Sequence, residues 1–250
     1  MRTLKLTLQY DGTNYIGWQR QADGISIQGL IEDALAPIEG QPVTVHGAGR
    51  TDAGVHALGQ VASVRLAADL DTATLGRALN ATLPDDVRVA GVEEVAEGFH
   101  ARFAATGKIY EYRIVNAPFV SPFLVRHVWH VPRPLDVAAM RAAARVLLGR
   151  HDFAAFQAAG SIVHTTERTI AAIEWDEHRD PERPLIMRVT GDGFLRHMVR
   201  TIAGTLVEAG SGRLDAAGLR AMLDSRSRSE AGPTAPARGL FLAAVLYNTK

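Results

Sequence analysis

Hydrophobic and polar residues follow two different periods along the first hundred residues of the chain. Alternation at a period of two predicts strands over residues 3–10, 43–46, 58–66 and 87–95. Apolar residues at helical spacing predict a helix that starts after Ser26, a suitable N-cap, and a second helix over residues 72–81. The resulting order, βαββαβ, is that of the ferredoxin-like fold.

The second half of the chain repeats this theme less regularly. Strands are predicted over residues 109–115, 126–131, 168–176, 185–190 and 240–247. Helices are predicted from Asp136, as N-cap, to about residue 148, and over residues 195–209 and 215–223. The pattern predicts an α+β protein with two halves of similar size, residues 1–104 and 105–250. No linker rich in Pro or Ser separates them, so we expect a rigid interface with a cleft, which is a usual place for a site.

The composition is that of an ordinary globular protein. The chain has 250 residues, 47% of them hydrophobic and 22% charged, and no cysteine, which excludes a disulfide framework and thiolate metal ligands. No apolar run reaches membrane-spanning length, and residues 1–10 follow a strand pattern rather than that of a secretory signal. We therefore expect the protein in the cytoplasm.

Charge is balanced, with 27 basic and 27 acidic residues. A net charge of zero argues against a dedicated nucleic-acid-binding protein, because neutralising phosphates usually requires an excess of basic residues. Arginine, however, accounts for all the basic residues except Lys5, Lys108 and Lys250. Its forked guanidinium suits phosphates and stacks on bases, but a G+C-rich genome encodes the same bias.

The segment GRTDAGVHA, residues 49–57, places an arginine and an aspartate two positions apart between glycines. The strand predicted before it implies that Arg50 and Asp52 lie on an irregular turn at the edge of a sheet. A guanidinium nearby favours the ionised form of a carboxylate, so Asp52 would be available as a nucleophile or a base. The same pair is also common as a solvated ion pair in a turn, and these residues alone do not separate the two interpretations.

Two further groups of residues are candidates for a binding site. Tyr110, Tyr112 and Ile114 share one face of a predicted strand, which is either an aromatic platform for a nucleobase or part of the core. Arg196 and Arg200 lie four residues apart on a predicted helix, beside an apolar stripe. We expect Arg196 to be solvated and leave open whether Arg200 flanks a cleft.

No motif for a metal or a cofactor is apparent in the sequence. The nine histidines show no paired ligand spacing such as HExxH. A P-loop, a dinucleotide GxGxxG after a strand and the GxSxG of a serine hydrolase are also missing. We therefore predict no metal and no cofactor, so that any chemistry uses side chains alone. The polar segment 225–238, which contains Gly and Pro, is predicted to be a functional or mobile loop.

Motifs spread over nearly the whole chain resemble the tRNA pseudouridine synthase A family. In chain order they are YDGTNYIGWQRQ (10–21), SIQGLIEDAL (26–35), GAGRTDAGVHA (47–57), FHARF (99–103), KIYEYRI (108–114), HDFAAF (151–156), GFLRHMVR (193–200) and GPTAPARGL (232–240). The match at GRTDAGVHA is highly specific. The resemblance implies two ferredoxin-like halves whose antiparallel sheets join across a central cleft. It also implies a homodimer that binds one tRNA across both subunits.

The resemblance implies a reaction as well. Family members isomerise uridine to pseudouridine at positions 38, 39 and 40 of the tRNA anticodon stem-loop, by breaking the N1–C1′ bond, turning the uracil and rejoining it through C5. Asp52 matches the catalytic aspartate, which attacks C1′ or C6 or takes a proton from the sugar. Arg200 matches the arginine that pairs with this aspartate. Arg50 matches the residue that holds the target nucleotide out of the helix, and Tyr110 matches the aromatic residue against the uracil.

Two other classes of function stay open beside this one. A non-catalytic RNA-binding protein could use the same aromatic strand and the same arginines, and a cofactor-free hydrolase could use Asp52 with a histidine. Binding alone does not require a carboxylate. The presence of Asp52 together with Arg50, Tyr110 and Arg200 therefore favours the isomerase.

Overall fold

The computed structural model describes residues 1–161, 163–178, 180 and 183–248. These residues contain ten strands: β1 (Arg2–Tyr10), β2 (His46–Gly47), β3 (His56–Leu66), β4 (Val87–Val95), β5 (Ala105–Val115), β6 (Trp129–His130), β7 (Gly149–Asp152), β8 (Glu167–Asp176), β9 (Leu185–Gly191) and β10 (Leu240–Tyr247). They also contain five α-helices: α1 (Ile27–Glu39), α2 (Thr72–Thr82), α3 (Val137–Ala144), α4 (Met198–Gly210) and α5 (Ala216–Ser225). The predicted α+β class is confirmed.

The chain folds as two compact units. One comprises Met1–Thr106 and Phe241–Lys250, and the other comprises Gly107–Leu240. The final strand thus belongs largely to the first unit, although it comes from the end of the chain. Within the described residues, no helix combines the length and the apolar composition needed to cross a membrane.

The first unit is an antiparallel sheet in which β1 lies between β3 and β4, and β2 pairs with β3. The start of β10 pairs in parallel with the start of β3. With α1 and α2 this is the predicted βαββαβ order. Leu4, Leu6 and Leu8 of β1 are fully buried, as is the α1 stripe that includes Ile27 and Ile31. Each such side chain contributes about 1.5–3 kcal/mol to folding, so this alternation defines the core.

The second unit is an antiparallel sheet with the order β5-β9-β8-β7. The short strand β6 pairs in parallel with the end of β5. α4 is buried along almost its whole length and contacts α3. Apart from β6 and β7, the chain order β5-α3-β8-β9-α4 repeats the first five elements of the βαββαβ series, so the theme recurs less regularly, as the pattern predicted.

The predicted helix starts are confirmed where an N-cap residue was visible in the sequence. Ser26 Oγ accepts a hydrogen bond from the backbone N–H of Gly29 at 3.1 Å. Asp136 accepts in the same way from Ala139 at 2.9 Å. Each cap satisfies a backbone donor that the helix itself leaves unpaired, and is worth about 1 kcal/mol.

The strand predicted over residues 43–46 is wrong except at its last residue, because only His46–Gly47 pair with β3. Side chains of α1 form hydrogen bonds with the backbone of Val45 instead. Glu32 Oε1 accepts from the Val45 N–H at 3.0 Å, and Gln28 Nε2 donates to the Val45 carbonyl at 3.1 Å. Because the N–H and C=O groups of Val45 already have hydrogen-bond partners, they are not available to pair with a neighbouring strand.

Three other predicted boundaries in the second unit are also corrected. The strand predicted over residues 126–131 shrinks to Trp129–His130, because the backbone before it forms turns, with His127 N–H donating to the Leu124 carbonyl. α3 ends at Ala144 and continues only as a 3-10 turn. The helix predicted from residue 195 begins at Met198, because His197 adopts a left-handed backbone with φ of 65°. The polar strand β7 lacks the alternation that would have predicted it.

Candidate active site

The loop between β2 and β3, residues 48–55, contains Arg50 and Asp52. Arg50 is exposed and Asp52 is partly buried. The Asp52 carbonyl accepts from the Val55 N–H at 3.1 Å, which closes a tight turn directly after the aspartate. The irregular turn predicted for these residues is therefore present, and it presents two side chains of opposite charge.

A second segment, residues 10–18, holds this loop from the other side. The Trp18 N–H donates to the Thr51 carbonyl at 3.0 Å, and the Gly54 N–H donates to the Tyr15 carbonyl at 3.3 Å. Gly17 forms an isolated antiparallel bridge with Asp52. The backbone is thus hydrogen-bonded before and after Asp52, which fixes the main-chain position from which its side chain projects.

The bridge brings two backbones so close that only glycine fits at position 17. A Cβ on Gly17 would lie 2.4 Å from the Thr51 carbonyl oxygen, well inside van der Waals contact. The residue also has φ of 108°, a conformation that L side chains rarely adopt. The glycine in the IGW sequence therefore belongs to the architecture of the loop.

A buried polar network supports the same loop from below. The Tyr10 hydroxyl lies 2.9 Å from Thr51 Oγ1, and Gln60 Nε2 donates to the Gly49 carbonyl at 2.9 Å. Burial raises the pKa of Tyr10 to about 12, so the hydroxyl keeps its proton at neutral pH. The Thr51 side chain is thereby tied to β1, and the Gly49 backbone is tied to β3.

The loop ends at His56, which is almost fully buried. Its Nδ1 lies 3.0 Å from Asp11 Oδ1 and 3.0 Å from the backbone nitrogen of Gly12. Its ring stacks on Phe241 with centroids 4.6 Å apart. His56 thus joins the start of β3 to the segment that follows β1.

In the second unit, the aromatic face of β5 is buried. Tyr110 is 7% exposed and meets the ring of Phe194 edge-on at 5.1 Å. Tyr112 has no exposed surface, and its hydroxyl donates to the Pro236 carbonyl at 2.7 Å. Burial raises the pKa of Tyr112, against the opposing effect of the Arg200 charge. The core interpretation of this face is confirmed for Tyr112 and Ile114.

Arg200 lies in the first turn of α4 and is partly buried. Its Nε donates to the Ala235 carbonyl at 2.7 Å, and the Ala235 N–H donates back to the Arg200 carbonyl at 3.1 Å. Arg196 precedes the helix and is exposed, as predicted. Arg200 is thus positioned by a reciprocal pair of hydrogen bonds.

The partner of Arg200 comes from the segment of residues 232–239, which fits closely against α4. A Cβ on Gly204 would lie 1.8 Å from the Pro233 carbonyl oxygen, so the helix offers a bare backbone there. Tyr112 bonds to the same segment through Pro236. Over these residues, the long loop predicted from composition therefore provides backbone carbonyls that bind side chains of α4 and β5.

Comparison with known proteins places this arrangement in a family. The profile of the family described as tRNA pseudouridine synthase matches residues 7–104 and 143–248. The chain belongs to this family. It is 44% identical over 247 residues to tRNA pseudouridine synthase A of Syntrophotalea carbinolica, covering 99% of this chain and 97% of that protein.

Other tRNA pseudouridine synthase A proteins are similar over their full length. The protein of Geobacter sulfurreducens is 46% identical over 247 residues, which cover 99% of this chain and 100% of the relative. That of Moorella thermoacetica is 47% identical over 250 residues with the same coverage. Since the matches extend over both units, the resemblance drawn from the motifs is confirmed.

Among solved structures, the crystal structure of the archaeal box H/ACA sRNP Nop10-Cbf5 complex matches 82% of this chain, with 12% identity and a TM-score of 0.38. The chain spans 43% of the length of that matched chain. This likeness is too weak to bear on the fold or the function.

The four predicted site residues of this tRNA pseudouridine synthase family member fall into two pairs. Arg50 and Asp52 share one loop of the first unit, and Tyr110 and Arg200 lie on β5 and α4 of the second. Sequence reasoning missed the residues that hold them, above all Gly17 and Ala235. The sequence contains a signal for the first, a glycine between two bulky residues, but none for the second.

Proposed function

We propose that this protein isomerises uridine to pseudouridine at positions 38, 39 and 40 of the tRNA anticodon stem-loop, with Asp52 as the catalytic carboxylate. The N1–C1′ glycosidic bond breaks, the uracil turns, and a C5–C1′ bond forms. C5 loses a proton and N1 gains one, so the product is an isomer of the substrate and no oxidant or group donor is consumed. Membership of the tRNA pseudouridine synthase family supports the reaction.

The observation that carries this proposal is the way the protein backbone holds Asp52. The bridge to Gly17 and the turn to Val55 fix its main chain, while its side chain keeps partial access to solvent. A solvated ion pair in a turn needs no such support from a second segment. A carboxylate that must meet one atom of a substrate does, because misplacement by about 1 Å can cost two orders of magnitude in rate.

The carboxylate has three chemical routes, and all of them require it to be ionised. It attacks C1′, attacks C6, or takes a proton from the sugar on the way to a glycal. In each route Arg200 supplies the positive charge that pairs with this carboxylate. The hydrogen bond from Arg200 to Ala235 supports this role, because it fixes the direction of the guanidinium.

Arg50 and Tyr110 act on the substrate in this proposal. A stacked uridine hides its glycosidic bond, so the target nucleotide must leave the helix, and the exposed Arg50 holds it there. Tyr110 stacks on the uracil and assists removal of the C5 proton. The edge contact with Phe194 supports this role, because it sets the plane of the Tyr110 ring.

The organisation of the enzyme is part of the same proposal. Residues 1–104 carry the catalytic loop and residues 105–250 complete the active-site cleft. The protein acts as a cytoplasmic homodimer with one tRNA across both subunits. A basic groove that crosses two subunits is compatible with a neutral chain, because acidic residues then face elsewhere.

The substitution Asp52→Asn tests the proposal, since it keeps the shape of the side chain and removes its charge. We expect release of tritium from tRNA labelled at uridine C5 to fall by at least about 10³-fold, while the Kd for tRNA stays unchanged. Asp69→Asn, at an exposed aspartate of the same unit, is the matched control. Full activity of Asp52→Asn would overturn the proposal, and a wild-type protein that binds tRNA without forming pseudouridine would favour a binding protein.

A further inference from the structure

Three aromatic rings form a continuous series on the surface of the first unit. His46 and His100 stack with centroids 4.9 Å apart and an angle of 29° between their planes. Phe103 continues the series, with its centroid 4.4 Å from that of His100. We call these three residues the ring series. None of them has a part in the proposed reaction.

The ring series is mounted on ordered backbone. His46 lies in β2 and pairs with Ser63 of β3, and Ser63 Oγ accepts from the Ala101 N–H at 3.0 Å. The Ala101 carbonyl accepts from the Tyr247 hydroxyl at 2.8 Å. The residue that follows His100 is therefore held on both its polar groups, so the rings are presented in a fixed arrangement.

The outer end of the ring series is open to solvent and carries a positive charge. Phe103 is 77% exposed, so its ring is open to solvent. The Arg102 guanidinium lies 5.9 Å from the centroid of the Phe103 ring. Burial, followed by the charge of His46, lowers the pKa of His100, which disfavours the charged form of its ring.

A cavity of about 430 Å³ borders the inner end of the ring series, with His46 and His100 in its wall. Its two carboxylates are already engaged. Glu39 accepts from the Ala67 and Ala68 N–H groups, and Glu97 accepts from Arg65 at 3.0 Å. Both carboxylates therefore already have hydrogen-bond partners within the protein.

We propose that the ring series binds an unpaired nucleobase of the tRNA substrate by stacking on Phe103, with Arg102 facing the adjacent phosphate. The proposal rests on the proposed function, which supplies an RNA substrate. Aromatic faces with a guanidinium beside them match single-stranded RNA, whose bases have free faces, better than a duplex, whose bases do not. His46, at the inner end of the ring series, lies in β2, and β2 leads directly into the loop of Arg50 and Asp52.

The first measurement is the Kd for an unmodified tRNA transcript at one fixed salt concentration. Because one base stacked on an aromatic ring contributes about 5- to 150-fold in affinity, we expect Phe103→Ala to raise the Kd within that range. Phe103→Trp should keep the wild-type Kd. Phe123→Ala is the matched control, since Phe123 is 90% exposed and lies in the other unit.

A second measurement detects the stacking itself. A base on an indole ring quenches its fluorescence, so the tRNA transcript should quench Phe103→Trp more than the wild type, which has three tryptophans of its own. Phe123→Trp should show no added quenching. Neither readout depends on turnover.

The proposal fails if Phe103→Ala binds tRNA as tightly as the wild type, or if Phe123→Ala weakens binding equally. It also fails if Phe103→Ala changes the sedimentation coefficient of the free protein without changing the Kd, because the surface then contacts a second copy of the chain. The proposed function is judged separately. At saturating tRNA, Phe103→Ala should retain the wild-type kcat, whereas Asp52→Asn should retain the Kd and lose kcat.

Discussion

The loop of Asp52 and the setting of Arg200 position a charged side chain in two different ways. Around Asp52 the positioning is done by backbone, through the Gly17 bridge and the hydrogen bonds of Thr51 and Gly54. Arg200 lies on a regular helix, and its own Nε is held by the carbonyl of Ala235. Around Asp52 the contacts fix the main chain from which the side chain projects, whereas around Arg200 they fix the guanidinium itself.

Because of this difference, we expect the two regions to be sensitive to different substitutions. A region built from close backbone contacts has no room for an added atom, so it is sensitive to a Cβ far more than to a lost side-chain contact. A region built on a side-chain hydrogen bond is sensitive to the geometry of the donor. Four substitution experiments test the contrast, in order of decreasing expected effect.

Gly17→Ala should have the largest effect, because it adds a Cβ 2.4 Å from the Thr51 carbonyl at a φ of 108°. Strain and overpacking together should lower the free energy of unfolding by about 2–5 kcal/mol. Denaturant unfolding measures this loss, and turnover should fall because Asp52 moves with its bridge partner. Gly98→Ala, with no atom within 4 Å of the added Cβ, is the control. Equal stability of the two variants would show that the loop yields easily.

Arg200→Lys tests the other region, because a lysine keeps the charge but loses the Nε donor that meets Ala235. We expect kcat/KM for pseudouridine formation to fall about 10- to 100-fold, the range of a charged hydrogen bond, with little change in stability. Arg196→Lys, at the exposed arginine four residues earlier in the chain, should leave kcat/KM unchanged. Wild-type kinetics for Arg200→Lys would mean that charge alone suffices.

The two tyrosines of β5 allow a structural hydroxyl, that of Tyr112, to be compared with a proposed functional one, that of Tyr110. Tyr112→Phe removes the hydrogen bond to Pro236 and should lower the free energy of unfolding by about 1 kcal/mol, with kcat little changed. Tyr110→Phe should lower kcat with stability unchanged, because it removes a hydroxyl that the proposed proton transfer uses. Thermal unfolding and single-turnover rates measure both. The reverse pattern would assign the roles the other way round.

The smallest effect concerns acid stability, for which we compare Glu39 of the first unit with Glu208 of the second, two carboxylates whose pKa is lowered. Backbone N–H groups of Ala67 and Ala68 lower the pKa of Glu39, and the hydrogen bond from Arg213 lowers that of Glu208. Since both folded pKa values lie below 4.5, the unfolded chain takes up protons first. Their stabilisation is complete above that pH and is lost as the pH falls through the folded values.

Salt concentration should affect the stabilising contributions of these two carboxylates differently. Glu208→Gln should lose less stability at high salt than at low salt, because an exposed ion pair is screened. Glu39→Gln should lose the same amount at both, because its partners are neutral backbone groups. Unfolding at pH 7 and at pH 3, each at two salt concentrations, measures the difference. An equal salt response of the two variants would contradict it.

Much of the fold could be predicted from local sequence. The period-two alternation of β1 and the N-cap Ser26 each act within a few residues, so their outcome does not depend on distant parts of the chain. Prediction failed at Val45, whose backbone bonds to Glu32 and Gln28, and at His197, whose left-handed backbone delays the start of α4. These are contacts and constraints that no local pattern contains.

Local sequence patterns were enough to predict the α+β class, the ferredoxin-like order of the first unit, the family, and the loop that carries Arg50 and Asp52. They could do so because periodicity, caps and a specific motif are properties of contiguous residues. The bridge between Gly17 and Asp52 and the hydrogen bond between Arg200 and Ala235 are visible only in the folded chain. Those partners are 35 residues apart in each case, and a contact between residues so far apart in the chain depends on how the whole chain packs.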